Sequence, residues 1–255
     1  DLLDALSLSW IESGWDLKKL IKTIVMSRVY QQSSTAPRLE MEDDPENEWL
    51  ARGPRFRLPA EMIRDNALAA AGLLKPKLGG PPVNPYELTQ AFKPFKAGEG
   101  DDLYRRSLYT NWRRTSPPPA MLTFDAPRRA VCSAKRERTD SPLQALILLN
   151  GTQYVEAARA LGEALLNDVG GTVEEMIEAG MLRCLTRRPD ARELEILSRL
   201  WQEQLEHFKR RPQDAAAFIT DARGTPGEDG ANARLAAATV LAQALLNHDE
   251  CVVKR

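Results

Sequence analysis

RRSLYTNWRRTSPPPAMLTFDAPRRAVCSAKRERTDSPLQALILLNGTQYVEAARAL, Arg105 to Leu161, is the stretch whose reading decides the fold. It opens on an alternating aromatic run, Ser107 to Trp112, that fits a short strand. Three prolines, Pro117 to Pro119, end any such strand and predict a polyproline-like rod. A Phe124-Asp125-Ala126-Pro127 turn and a basic run follow. At Ser141-Pro142 the pattern changes: Ser141 reads as a helix cap with proline at the first helical position.

From there the chain reads as helical. Helices are predicted near 142–149, 152–167, 173–185, 191–210 and 231–247. Asn150 to Thr152 re-caps the second of these. Thr172 with Glu175 spells a capping box, and Asp190 with Glu193 a close relative of one. Gly224 to Gly230 reads as a flexible turn.

Upstream, two helices are expected within residues 1–30, broken at Gly14, the second capped by Asp16. Leu2, Leu3, Leu6 and Trp10 share one face of the first. The span 31–58 reads as loop with a short helix over 46–51. A firmer helix follows Leu58-Pro59, with Met62, Ile63, Ala67, Ala70, Ala71 and Leu74 on one face. Residues 75–102 read as a long ordered loop. The run Leu103 to Trp112 has one candidate strand partner, Arg55 to Leu58. Trp15, Trp112 and Trp201 each sit in an apolar pattern and are expected to be buried.

The predicted fold is therefore all-α, an irregular helical bundle with long ordered loops and at most one small β-ribbon. Its organisation is read as residues 1–140, helices and loops carrying the Arg/Pro-rich motif, and residues 141–255, an antiparallel bundle, sharing one core.

Composition narrows the function classes. The 255 residues are 43% hydrophobic and 28% charged, as in globular proteins, and 35 Lys and Arg balance 36 Asp and Glu. That balance argues against a general nucleic-acid or membrane binder, and no stretch has the apolar length of a membrane span. The chain opens on Asp1 within a helical pattern and reads as a piece of a longer polypeptide. Cys132, Cys184 and Cys251 are far apart and odd in number, so they make neither a disulfide framework nor a zinc spacing. No C-x-x-C-H attaches a haem. Glu203 with His207 supplies too few ligands for a metal, and His248-Asp249-Glu250-Cys251, metal-like in residue type, lies just past a helix end and reads as plain polar surface. The chain is expected to bind neither haem nor a structural metal.

Charge marks the candidate site. Between Arg105 and Arg138, nine cations face only Asp125 and Glu137, a net of about +7. Eight are arginines: Arg105, Arg106, Arg113, Arg114, Arg128, Arg129, Arg136 and Arg138. The planar guanidinium suits carboxylate, phosphate or sulfate. The alternative is that these arginines tie long loops to acidic helices. Arg113, Arg114 and Arg129 are expected to turn inward, and Arg136 and Arg138 outward. Asp125 reads as a catalytic carboxylate or as a local cap. Cys132 reads as an activated thiol or a structural one.

RRSLYTNWRRTSPPPAMLTFDAP, then a cysteine and RERTDSPLQALILLN, resembles a planctomycete-type domain of unknown function found near the C-terminus of large exported proteins. The resemblance extends through Glu12–Leu20, Ser27–Ser34, Leu58–Leu68, Thr186–Leu194 and Ala242–Asn247. It implies an extracytoplasmic location and an upstream c-type cytochrome domain, so any haem sits there or on a partner, with no cofactor in this chain. It implies as partners the upstream domains of the same polypeptide or a cytochrome-bearing protein.

Two functions follow as expectations. One is a non-catalytic helical interaction or scaffold module that contacts an anionic partner, such as an anionic polysaccharide, through Arg105 to Arg138. The other is part of an extracytoplasmic enzyme, oxidative or polysaccharide-related, whose cofactor lies outside the chain. A deep pocket lined by these arginines and Asp125 favours the enzyme; internally paired arginines favour the scaffold.

Overall fold

The alanine- and leucine-rich segment after residue 228 forms the helix that the larger part of the molecule packs around. The computed structural model describes residues 1–34, 42–86, 96–169 and 171–254. Its helices in chain order are α1 (Leu2–Glu12), α2 (Leu17–Val25), α3 (Ala60–Ala70), α4 (Pro119–Thr123), α5 (Pro142–Asn150), α6 (Thr152–Asp168), α7 (Val173–Leu185), α8 (Ala191–Arg210), α9 (Pro212–Asp221), α10 (Asp229–Leu246) and α11 (Asp249–Val252). Phe56–Arg57 (β1) pairs with Val253–Lys254 (β2) in a two-stranded ribbon. Among the described residues the fold is all-α with this one small ribbon. The chain divides into two units, Asp1–Phe56 with the residues from Val253 on, and Arg57–Val252.

In the second unit α10 is buried on several faces, packed mainly on α6, α8 and α9. Ala236, Ala237, Ala238, Leu241 and Ala242 have no accessible surface, which is why this helix is apolar nearly all round. Its core partners are Ala157, Ala158, Leu161 and Leu165 of α6, Ile177 and Met181 of α7, and Ala215 and Ile219 of α9. Small side chains let α6 and α10 approach closely. A Cβ placed on Gly162 would lie 2.8 Å from the Ala238 carbonyl carbon and 2.9 Å from Thr239 N. Gln243 of α10 donates to the Leu149 carbonyl, satisfying a donor-poor end of α5.

The capping boxes at Thr172–Glu175 and Asp190–Glu193 are both formed, and they start α7 and α8 where expected. Ser141 makes no side-chain cap; Pro142 starts α5 through its fixed φ alone. Gly151, with no side chain to cap, precedes α6. A helix beyond those predicted covers 212–221, with Pro212 in its first turn. Phe218 of α9 stacks on Phe208 of α8 at 5.9 Å.

The run 103–112 is not a strand. It makes two 3-10 turns, Gly100–Leu103 and Ser107–Tyr109, and touches 75–83 through single bridges at Lys75–Arg105 and Val83–Thr110. The ribbon forms at 56–57 as expected, but its partner is 253–254. Pro119 begins α4, so the proline run ends in helix instead of a rod. On α3 the buried face is Ala60, Ile63, Arg64, Ala67 and Leu68, with Met62 53% exposed. Part of the predicted loop 75–102, residues 87–95, lies outside the described residues.

In the first unit, Gly14 (φ +75°) and Trp15 (φ +65°) turn the chain between α1 and α2, and Asp16 accepts from Lys19 N at 3.0 Å to cap α2. No residue of α1 or α2 is buried, although Leu2, Leu3, Ile11, Leu17 and Ile21 are apolar. Where a helix over 46–51 was expected there are turns. Asp44 takes the Glu48 and Trp49 amides at 2.8 and 3.0 Å, and the Trp49 hydrogen bond leads in lowering its pKa. Gly53 is required here, because a Cβ would meet Gln32 O at 2.4 Å.

The tryptophans divide. Trp201 is 5% exposed, Trp112 is half-buried, and Trp15 is 61% exposed against Trp10. Trp15 sits at positive φ in a turn, which carries it off the apolar face that its spacing suggested. Trp201→Ala should cost roughly 3–5 kcal/mol. Trp15→Ala should cost about 1 kcal/mol, the size of one aromatic pair. Denaturant unfolding of both variants measures the contrast, and equal losses would refute it.

One ion network fastens α11 to the start of α8. Arg187 bonds both Glu193 oxygens at 2.7 and 2.8 Å and both Glu250 oxygens at 2.8 and 3.1 Å. The Arg187 hydrogen bonds pull Glu193 down to about 2 from an ordinary 4.5. A carboxyl depressed in the folded state contributes stability above its unfolded value and loses it as pH falls through the folded value. The contribution should therefore be complete above about pH 4.5 and disappear toward pH 2. Unfolding free energies across that window should fall less steeply for Glu193→Gln than for the wild type; parallel curves would contradict the assignment.

Candidate functional site

The arginines of the central motif separate into an inner and an outer set. Arg105 is 2% exposed. Its guanidinium donates to the carbonyls of Pro81 at 3.0 Å, Lys77 at 3.3 Å and Gly79, and lies 3.9 Å over the Tyr109 ring. The Tyr109 hydroxyl accepts from Gly79 N at 2.8 Å. Gly79 and Gly80 both have positive φ, so this loop bends its carbonyls inward onto one cation. Arg105 organises a loop and does not face solvent.

Arg64 of α3 does the same for the next turn. It is 3% exposed and donates to Gln153 Oε1 at 2.8 Å, Arg105 O at 2.9 Å, Ser107 Oγ at 3.1 Å and Leu103 O at 2.6 Å. Its neighbour Asp65 accepts from Ser107 N at 2.7 Å and lies 3.7 Å from Arg106 Nε. Irregular backbone inside a protein needs such donors and acceptors. The sequence carried a signal for Arg64: a charged residue on the apolar face of the 60–70 helix.

A further knot joins the 100–104 turn to α6. The Tyr104 hydroxyl donates to the buried Glu156 at 2.6 Å, and Arg223 reaches the other Glu156 oxygen at 3.3 Å. Burial first, and the Glu156 hydrogen bond second, push the Tyr104 phenol up to about 12.

The outer set begins at Trp112, whose indole donates to Arg128 O at 3.3 Å and carries the Arg129 guanidinium 4.8 Å above its ring. Arg129 has φ +58°, and both Arg128 and Arg129 are exposed. Arg113 is half-buried and bridged through its backbone to Ser116. Arg114 and Arg129, both expected to turn inward, are exposed. Every residue from 131 to 140 is exposed. Arg136 pairs with Glu61 of α3 at 2.8 Å. Burial raises Glu61, but the Arg136 hydrogen bond and charge outweigh it and leave Glu61 below its ordinary value. Arg138, also exposed, lines a cavity of about 40 Å³ with Arg57 and Phe124.

Asp125 sits at φ +59° and accepts from Thr139 N at 2.7 Å and from Thr139 Oγ1 at 2.9 and 3.0 Å. The buried Gln144 of α5 donates to Thr139 Oγ1 at 3.2 Å and to Thr123 O at 2.8 Å. Asp140 pairs with Arg57 at 3.0 Å. The Asp125 carboxylate is thus a staple that closes the exposed basic loop 126–138 at its base. Thr139 and Gln144 escaped the sequence reading because their partners lie across the loop.

Two larger cavities adjoin these residues. One of about 300 Å³ is open and lined by Leu122, Asp125, Arg128, Lys135, Arg136 and Glu137. The other, about 190 Å³, lies at the start of α6 between Tyr86, Pro118, Met121 and Tyr154, with Arg64 at its edge. Among the described residues no group of three or more His, Cys, Asp or Glu could hold a metal ion. No helix of the described residues is long and apolar enough to cross a membrane.

A family model described as "PSD1: Protein of unknown function (DUF1553)" matches residues 1–201 of the chain. No curated protein and no solved structure matches it.

Proposed function

We propose that this chain, which belongs to the PSD1 family of proteins of unknown function, is a helical interaction module of a larger exported, cytochrome-c-associated protein. Its contact with an anionic partner runs through the basic loop 126–138. The observation that carries this reading is the division of the arginines. Arg64 and Arg105 are buried on loop carbonyls inside the molecule, whereas Arg128, Arg129, Arg136 and Arg138 lie exposed on a loop held at its base, Arg136 paired there with Glu61 and Arg129 laid on Trp112. A surface whose supports are already fixed loses less entropy on binding than a free tail. The engagement of the Asp125 carboxylate by Thr139 supports this reading over a catalytic one.

The outward loop should bind sulfated or carboxylated polymers, and the attraction should weaken with salt, since screening acts over about 10 Å at 0.1 M. Heparin serves as the probe. Arg136→Ala/Arg138→Ala should bind it several-fold more weakly than the wild type at low salt, and the two should converge at high salt. Equal, salt-insensitive binding, or no binding at low salt, would remove the anionic partner.

A further inference from the structure

The fold brings together two cysteines that the sequence holds 67 residues apart. Cys184 lies in the last turn of α7 and Cys251 in α11, and both are buried, at 7% and 3% exposed. The Cys251 sulfur lies 3.7 Å from the Cys184 carbonyl oxygen and 3.1 Å from that of Leu245. The neighbouring Cys184, with burial second, holds the Cys251 thiol far above its ordinary value. Cys132 is exposed in the basic loop and belongs to neither helix.

We propose that Cys184 and Cys251 are a disulfide-forming pair, a clasp that fastens the C-terminal turn to α7 when the protein meets a disulfide oxidant. α11 has only four residues, too short to hold itself as a helix. Its Cys251 is therefore the thiol exposed when this turn opens. The opened Cys251 thiolate attacks one sulfur of the oxidant's disulfide and forms a mixed disulfide, releasing one thiol. The Cys184 thiolate then displaces the second thiol as the protein S–S bond forms. Two protein thiols are oxidised, one disulfide is reduced to two thiols, and the two protons released by the protein end on them. With α11 closed, the Cys251 thiol stays protonated and out of reach, so formation waits on opening and the finished bond is shielded from reductants. The loop it closes contains α8, α9 and α10. Cross-links across long loops restrict the unfolded chain most.

The test uses the whole chain carrying Cys132→Ser, an exposed position, incubated with oxidised glutathione in urea below the unfolding transition. It is then denatured and alkylated with and without reductant. The expected result is a linked peptide pair joining Cys184 to Cys251, both protected from alkylation until reduced. The oxidised chain should also unfold at higher denaturant than the reduced one, a shift that is absent in Cys251→Ser. Free alkylation of both cysteines without reductant, or separate glutathione adducts on each with no linked pair, would overturn the clasp.

Discussion

Arg64→Ala should lower the free energy of unfolding by roughly 3–5 kcal/mol. The side chain is 3% exposed and gives its protons to two backbone carbonyls, a hydroxyl and a side-chain amide oxygen. Removing it leaves the Leu103 and Arg105 carbonyls inside the protein without a donor. Each such group costs about 1–3 kcal/mol, more than an ordinary hydrogen bond contributes. The alanine also leaves a cavity where the guanidinium lay. Arg64→Lys should recover only part of the loss, because a single ammonium cannot reproduce the planar fork. Denaturant unfolding measures both variants. A loss under about 1 kcal/mol for alanine would show that water serves these carbonyls as well as Arg64 does.

Gly162→Ala should be nearly as damaging for the opposite reason. Most glycines in helices welcome an alanine, which is the better helix former. Here the new methyl group would sit 2.8 and 2.9 Å from backbone atoms of Ala238 and Thr239. Backbone cannot rotate away, so α6 and α10 must separate along their whole contact, at roughly 1–3 kcal/mol. Gly180 provides the comparison. A Cβ there meets the tip of Leu245 at 2.6 Å and of Leu165 at 3.3 Å, and flexible side-chain ends can move. Gly180→Ala should therefore cost clearly less. Thermal or denaturant unfolding of both settles the order, and a neutral Gly162→Ala would mean that the helices are not held at that distance.

Much of the helical half is written locally. Thr172–Glu175 and Asp190–Glu193 form their capping boxes because each is complete within four residues. The helix after residue 228 is apolar nearly all round because other helices cover it on several sides. What was illegible depends on partners far along the chain. Ser107 to Trp112 alternates like a strand, yet Arg64 and Asp65, some forty residues earlier, hold its backbone in turns. Arg105 reads as an anion site because nothing local reveals that its acceptors are carbonyls of Lys77, Gly79 and Pro81. Cys184 and Cys251 look unrelated until α7 and α11 meet. The helix over 212–221 has a local signal as well, Pro212 in its first turn followed by an alanine run.

The position of α10 in the chain has a consequence for how the protein is made. Synthesis runs from the N- to the C-terminus, so α6, α7, α8 and α9 all leave the ribosome before the helix they pack against. Until Leu246 is synthesised, the apolar faces that carry Leu161, Ile177 and Ile219 have no common surface to cover them. These faces thus stay uncovered until α10 follows them. During that interval the chain's survival depends on chaperones that bind exposed apolar segments.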